Sequence, residues 1–334
     1  MDSTGDFGRD RQFPWTLDEV NRYLRSMSQD LDTSGHLITK VLIGLLVFFI
    51  RKLSWKGTDR LGACIGYLMY WLKIRKSIAM TNLNIAFSNT KTEEEKDAIY
   101  KGSLINMGRH ILNYMRVPLM DEKFWSDFEL EGEEKLKEIV NRGKGLVILG
   151  GHIGEWEIAT SRVGMAGYPV SMVAKRMPNP VIDKFLIDAR LDMNQGTIPS
   201  KASMDRIIKG IKEHGEAITM AIDQNMMRHR AVFVKFLGRI ASVPRSVAWI
   251  VRETGAPVIT GYSCRIAPGK FKTVLTEEVP WEPHPEDPEE EIRINSRNHA
   301  RAVEKIIYDN PELWLWVHRR FKVQPEGTPA PYRK

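Results

Sequence analysis

The chain is poor in cysteine. Only Cys64 and Cys264 occur in 334 residues, and they show neither metal-ligand spacing nor a disulfide framework. A reducing compartment is the simpler reading. The polar start MDSTGDFGRDRQ lacks the basic residues and apolar core of a secretory signal. No apolar run approaches the roughly 20 residues of a spanning helix. The unbroken run Val41–Ile50 is half that length, although Leu37 to Trp55 could just span if Lys40 snorkels outward. Gly-x-Gly-x-x-Gly and the Walker phosphate loop are also absent, which removes the common nucleotide-binding signatures.

What is present is a globular composition, 43% hydrophobic, with a formal charge of +7. A basic balance suits anionic partners: phosphorylated substrates, anionic lipid, an acidic protein or nucleic acid. The charge is uneven. From His36 to Met80 stand Lys40, Arg51, Lys52, Lys56, Arg60, Lys73, Arg75 and Lys76 against the single acid Asp59, interleaved with the apolar runs VLIGLLVFFI and LGACIGYLMYW. Such a pattern is attracted to an anionic membrane surface. If the first run spans, the basic excess after it puts the bulk of the chain in the cytoplasm. Before it, Thr16 and Glu19 have capping-box spacing, followed by a helical stripe of Leu17, Val20, Leu24, Met27 and Leu31.

From Lys40 to Met120 the spacing predicts helices, one starting at Thr92 ahead of three glutamates. From Lys144 the texture changes. GLVILGG, VSMVAK, EAITMAI, AVFVKF, APVITGYSC and KTVLTEEV alternate with helical stretches such as NPVIDKFLIDARLDM, MDRIIKGIKEHG and SVAWIVRETG. The alternation predicts an α/β fold with a mostly parallel central sheet flanked by helices. After PWEPHPEDPEEE, a final helix is expected to end in NPELWLWVHRRFK, with its cations at the negative end of the dipole. The division read from these changes is an extension at 1–35, membrane-associated helices at 36–79, a catalytic domain at 80–323 and a tail at 324–334.

The stretch LVILGGHIGEWE (146–157) concentrates the chemistry. Its apolar half predicts a buried strand, and the glycines permit a sharp exit. His152 and Glu157 are five apart; at about 100° per residue they would point about 140° apart on one helix. They meet only if His152 precedes a helix and Glu157 lies inside its first turns. There the carboxylate would fix the imidazole tautomer and leave the other nitrogen to accept a proton. Glu155 reads as a helix-start acid favoured by the dipole. A zinc pair is not indicated, since no second histidine stands four residues away, and no serine near the turn supplies a nucleophile elbow.

With its surroundings, GGHIGEWE resembles the signature of the lysophospholipid acyltransferase superfamily, and closest the branch of late acyltransferases of lipid A biosynthesis. MTNLNIAF, VAKRMPNPVIDKFL, AIDQNMMRHRAVFVKFLGRIA, RETGAPVI and PELWLWVHRRFK are similar to further family segments, in the same order, over roughly residues 38–323. Arg245 departs from it, standing where a small residue is expected. The resemblance implies transfer of a fatty acyl chain from a thioester, on acyl carrier protein or coenzyme A, to a hydroxyl of a phosphorylated glycolipid, with no resident cofactor or metal. It implies His152 as general base, Glu157 as its orienting acid and Asp223 as a second acid converging on the same crevice. Arg176 is similar to the arginine that holds acceptor phosphate, with Arg190 and Lys201 as further cations. The implied location is the bacterial inner membrane, catalytic domain on the cytoplasmic face. Another glycolipid acceptor of the phosphatidylinositol mannoside type, water in place of the acceptor, and a non-catalytic membrane-binding homologue stand as alternatives. Nucleic acid is not an expected partner, because no basic recognition helix or aromatic platform is present.

Overall fold

Strand-forming Val and Ile runs place most of the expected strands, and a computed structural model shows how they pair. It describes residues 35–332 apart from Ala202, so the stripe expected at 17–31 lies outside the described residues. The strands are β1 (Glu129–Glu131), β2 (Leu146–Gly150), β3 (Val170–Ala174), β4 (Gln195–Pro199), β5 (Ala217–Ala221), β6 (Ala231–Phe236), β7 (Arg239–Pro244), β8 (Val258–Ala267) and β9 (Lys270–Glu278). Seven of them form one sheet in the order β1-β9-β8-β2-β5-β3-β4, parallel except for the antiparallel pair β8–β9. The expected α/β class with a mostly parallel sheet is therefore the observed one.

β2 lies at the centre of the sheet and is a continuous apolar run because helices cover both of its faces. Val147 and Leu149 pack on one side against Leu83, Tyr100, Val303 and Ile307; Leu146 and Ile148 pack on the other against Leu136, Ile139 and Val163. The helices supplying these side chains belong to the set α1 (Leu37–Lys52), α2 (Trp55–Trp71), α3 (Lys76–Phe87), α4 (Glu93–Tyr114), α5 (Glu122–Ser126), α6 (Glu133–Asn141), α7 (Trp156–Ala159), α8 (Ser161–Met165), α9 (Pro180–Asp192), α10 (Met204–His214), α11 (Ser246–Thr254) and α12 (Pro288–Asp309). The start expected at Thr92 is a full capping box: Thr92 Oγ1 accepts from Glu95 N–H (3.2 Å), and Glu95 Oε2 accepts from Thr92 N–H (2.7 Å).

Three expectations change. AVFVKF is not in the main sheet; β6 and β7 form a separate antiparallel ribbon. Its two-residue turn, Leu237 and Gly238 at φ 48° and 86°, has the positive φ pair of a tight hairpin. Second, the last helix stops at Asp309, and HRRFK is not a helix end. Pro311 has no N–H for a continuing helix and disfavours helical geometry at Asn310, which sits at φ −136°, ψ 62°. Residues 314–323 cross the molecule as irregular chain instead, burying Trp314, Trp316 and Arg320. Third, α1 has 16 residues and spans about 24 Å at 1.5 Å each. No helix among the described residues is long and apolar enough to cross a membrane. Leu37, Ile38, Val41, Leu42, Phe48 and Phe49 on α1 are nevertheless at least half exposed.

Candidate active site

The parallel strands end at one edge of the sheet. In spatial order, β2 delivers His152 there, β5 delivers Asp223, β3 delivers Arg176 and β4 delivers Lys201. Such an edge is where open α/β sheets place their binding crevice. The sequence-distant pair His152 and Asp223 meets because β2 and β5 are neighbours in register, Gly150 opposite Ala221.

Asp223 is 2% exposed and takes three hydrogen bonds. Its Oδ2 accepts from the main-chain N–H of His152 (2.8 Å) and from Trp314 Nε1–H (2.8 Å), while Oδ1 lies 3.1 Å from His152 Nδ1. Gly151 makes this approach possible: a Cβ there would lie 2.8 Å from Asp223 Cγ. Burial alone would raise the carboxyl pKa, but the His152 charge and hydrogen bonds hold it down at about 2. An ionised carboxylate can only accept, so Nδ1 carries the proton and Nε2 bears the lone pair. The Gln224 side-chain nitrogen lies beside the same edge of the ring, 3.0 Å from Nε2 and 3.2 Å from Nδ1; with Nδ1 protonated, only Nε2 has a lone pair to accept from it. Burial pushes His152 down, but the fields of Asp223 and Glu157, with the Asp223 hydrogen bond, outweigh it and hold the imidazole above its ordinary value.

The loop carrying His152 is pinned from both sides. Leu315 N–H donates to His152 O (3.1 Å), Gly154 N–H to Leu313 O (2.9 Å) and Glu155 N–H to Ser263 O on β8 (2.8 Å). Gly154 sits at φ 59°, where a Cβ would fall 2.0 Å from Ser263 O. The backbone therefore packs against β8 more closely than any side chain permits.

Glu157 does not make the expected bond to His152. It lies in the first turn of α7 and faces α9, where Arg190 grips it through two parallel hydrogen bonds of 2.9 Å. The fork geometry of guanidinium and carboxylate makes this pairing stronger than a single bond to an imidazole. Arg190 is itself buried, and its remaining nitrogen lies 3.4 Å from Thr197 Oγ1. Its observed partners are protein groups, so its geometry is that of an internal brace for Glu157. Asp223, named second from the sequence, is the acid that touches the ring.

Glu155 also departs from expectation. It is 4% exposed and accepts from Asn113 Nδ2 (2.8 Å), with His110 Nδ1 at 3.1 Å, both on α4. The His110 ring packs against Trp156 at 3.6 Å between centroids, the planes tilted by 32°, and Trp156 stands 5.4 Å from the His152 ring. A second buried histidine–carboxylate pair thus fixes an aromatic wall beside His152. Arg176 hydrogen-bonds Asp183 through Nε, and Asp183 Oδ1 also accepts from Met177 N–H (2.8 Å). That leaves Arg176 30% exposed near the crevice, two strands or about 10 Å from β2 at the usual spacing. Lys201 lies exposed on the loop after β4.

Sequence reasoning left out Trp314 and His318 as site groups. His318 Nε2 accepts from Asn225 N–H (3.1 Å) one residue beyond Gln224, and burial pushes its pKa below the ordinary value. The signal is the WLWVH segment itself, which reads as core in the sequence, whereas the chain there runs past the ends of β2 and β5 and bonds to residues 152–154 and 223–225. Among the described residues no group of three or more His, Cys, Asp or Glu is placed to hold a metal ion.

Comparison with known proteins adds the family. Residues 28–323 match the family described as bacterial lipid A biosynthesis acyltransferase. The chain is 27% identical over 307 residues to the lipid A biosynthesis lauroyltransferase of Escherichia coli, covering 88% of this chain and 94% of that one. It is 29% identical over 285 residues to a lipid A biosynthesis acyltransferase of Haemophilus influenzae, covering 81% and 86%. It is 26% identical over 281 residues to the Escherichia coli lipid A biosynthesis palmitoleoyltransferase, covering 81% and 87%.

Proposed function

The chain belongs to the bacterial lipid A biosynthesis acyltransferase family and is an acyltransferase, and from that premise we propose that it moves a fatty acyl group from an acyl carrier protein thioester to a hydroxyl of a phosphorylated lipid A precursor, with His152 as general base. The observation that carries this reading is the orientation of His152: Nδ1 faces a buried, ionised Asp223, and Nε2 is left as the lone-pair nitrogen.

An alcohol is a weak nucleophile at neutral pH, so its proton must leave as it attacks. The acceptor oxygen bonds to the thioester carbonyl carbon while His152 Nε2 takes its proton. The carbonyl becomes a tetrahedral oxyanion and the ring an imidazolium, which Asp223 stabilises without itself taking the proton. Collapse breaks the carbon–sulfur bond, and the departing thiolate takes the proton back from Nε2. Trp156, with its ring within 6 Å of the imidazole, adds a π face against the positive charge of that intermediate. The Gln224 amide nitrogen, 3.0 Å from Nε2 and 3.2 Å from Nδ1, marks the edge of the ring that the hydroxyl would approach. Arg176 is the cation best placed for acceptor phosphate, being partly exposed and oriented by Asp183.

The half-exposed apolar side chains of α1, bracketed by Lys40, Arg51 and Lys52, support attachment to the cytoplasmic face of the inner membrane as a helix lying in the interface. Purified protein given an acylated carrier and a phosphorylated disaccharide lipid should yield product heavier by one acyl group. Hydrolysis of the thioester without acylated lipid would contradict the reading. Flotation with anionic vesicles should survive 1 M-scale salt, since apolar burial is not screened; release by salt would contradict interfacial insertion.

A further inference from the structure

The segment leaving the catalytic acid carries only positive charge. Between Gln224 and Arg245 the ionised side chains are Arg228, Arg230, Lys235, Arg239 and Arg245, with His229 among them, and no acid. Two of these cations are engaged: Arg239 donates to Pro329 O (3.0 Å) and Arg245 pairs with Glu289 (2.6 Å). Arg228, His229, Arg230 and Lys235 are all exposed, and among the described residues no carboxylate pairs with them. The same surface is not purely polar. Met227 is 53% exposed and Ile240 41%. Ile240 stands opposite Lys235 on the ribbon, and Phe233 lies on the same strand face, its ring 5.7 Å from the Arg228 guanidinium. An apolar strip edged by unpaired cations is the complement of an acidic amphipathic helix.

Position gives the patch its meaning. Arg228 is five residues from Asp223, so their Cα atoms are at most about 18 Å apart. The segment joining them includes Gln224, in contact with His152, and Asn225, in contact with His318. A partner seated here would deliver a flexible arm to the crevice without covering it.

We propose that the outer face of the β6–β7 ribbon, with Arg228, His229 and Arg230 at its entrance, is the docking surface for a small acidic carrier protein presenting the acyl thioester. This rests on the donor assigned above. A carrier is favoured over a lipid headgroup because the cations surround apolar side chains on a rigid two-stranded ribbon, whereas the exposed apolar residues of α1 already offer a lipid-facing surface.

The test uses the full chain and two donors, an acylated acyl carrier protein and the same acyl group on pantetheine. Reversing charge in R228E/R230E is expected to raise KM for the carrier about tenfold, as loss of two rim attractions gained as repulsions implies. It should leave kcat, and kcat/KM with the pantetheine donor, within twofold of wild type. The single variant Lys235→Glu, on the exposed strand face, should raise carrier KM less and in the same direction. An unchanged carrier KM with wild type active on the carrier overturns the docking surface alone. Equal losses with both donors, or weakened flotation on phosphatidylglycerol vesicles with unchanged carrier KM, overturn it in favour of acceptor or membrane contact. A wild-type enzyme that ignores the carrier and uses only small thioesters overturns the donor assignment and the surface with it.

Discussion

Replacing Asp223 by asparagine tests the tautomer on which the chemistry depends. Asp223 Oδ2 receives two N–H donors, from His152 and Trp314, and Oδ1 faces His152 Nδ1. Asparagine has one acceptor oxygen, and the two converging donors fix it at the Oδ2 position. Its NH2 then faces Nδ1 and can only donate. His152 must answer by carrying its proton on Nε2, the atom that should receive the substrate proton. Imposing the wrong tautomer on a catalytic histidine costs about 10⁴ in kcat, or roughly 5 kcal/mol at 1.36 kcal/mol per decade. The substitution also removes the charge that lifts the imidazole. The base works when neutral, so activity rises with pH through the His152 pKa, which the native site holds above the ordinary value. In the variant that midpoint should move to lower pH. The assay is kcat against pH with saturating acylated donor, alongside circular dichroism to show the fold intact. A variant that keeps more than about a tenth of native kcat, with an unmoved midpoint, would refute the tautomer argument.

Two further outcomes follow from the same structure. Glu157→Gln should affect stability more than Asp223→Asn affects it, because it breaks the buried pair with Arg190 and strands that guanidinium; urea denaturation should show a loss of about 3–5 kcal/mol, with kcat reduced far less than in Asp223→Asn. His299 is buried, and burial pushes its pKa down to about 4 from 6.5. The unfolded chain therefore binds that proton first as pH falls below 6.5, so stability is full above 6.5 and is lost progressively towards 4, by about 3 kcal/mol in all. Urea midpoints of a His299→Leu variant should fall less between pH 7 and pH 4.5 than those of the native chain; equal slopes would show that His299 does not carry the effect.

The parts of the fold legible in the sequence were those with strong local signals. β2, β3 and β8 carry Val and Ile runs, β5 and β9 lie in short apolar or β-branched stretches between helical segments, and the Thr92 capping box is written within four residues. The strands missed in the sheet are its two edges. β1 is Glu-Leu-Glu and β4 is Gln-Gly-Thr-Ile-Pro, and an edge strand with one free side neither needs nor shows a continuous apolar run. In the site, His152 and the acids were visible as residue types, but their pairing was not. Local spacing favours Glu157, five residues away, whereas Asp223 reaches the ring across 71 residues through the β2–β5 pairing. Pairing of adjacent strands is a property of the sheet order, and no local spacing encodes it. For the same reason Glu155 read as a helix-start charge, since its partners His110 and Asn113 lie on α4, more than 40 residues earlier.

If His152 takes the acceptor proton during acyl transfer, its removal must stop the reaction. The most direct measurement compares native protein and His152→Ala, each with acylated carrier protein and a phosphorylated disaccharide lipid, by mass spectrometry of the lipid product over time. The native enzyme should add one acyl chain, and the variant, folded by circular dichroism, should lose at least as much rate as Asp223→Asn, about 10⁴. Acylated lipid appearing at the native rate from the His152→Ala protein would contradict the account.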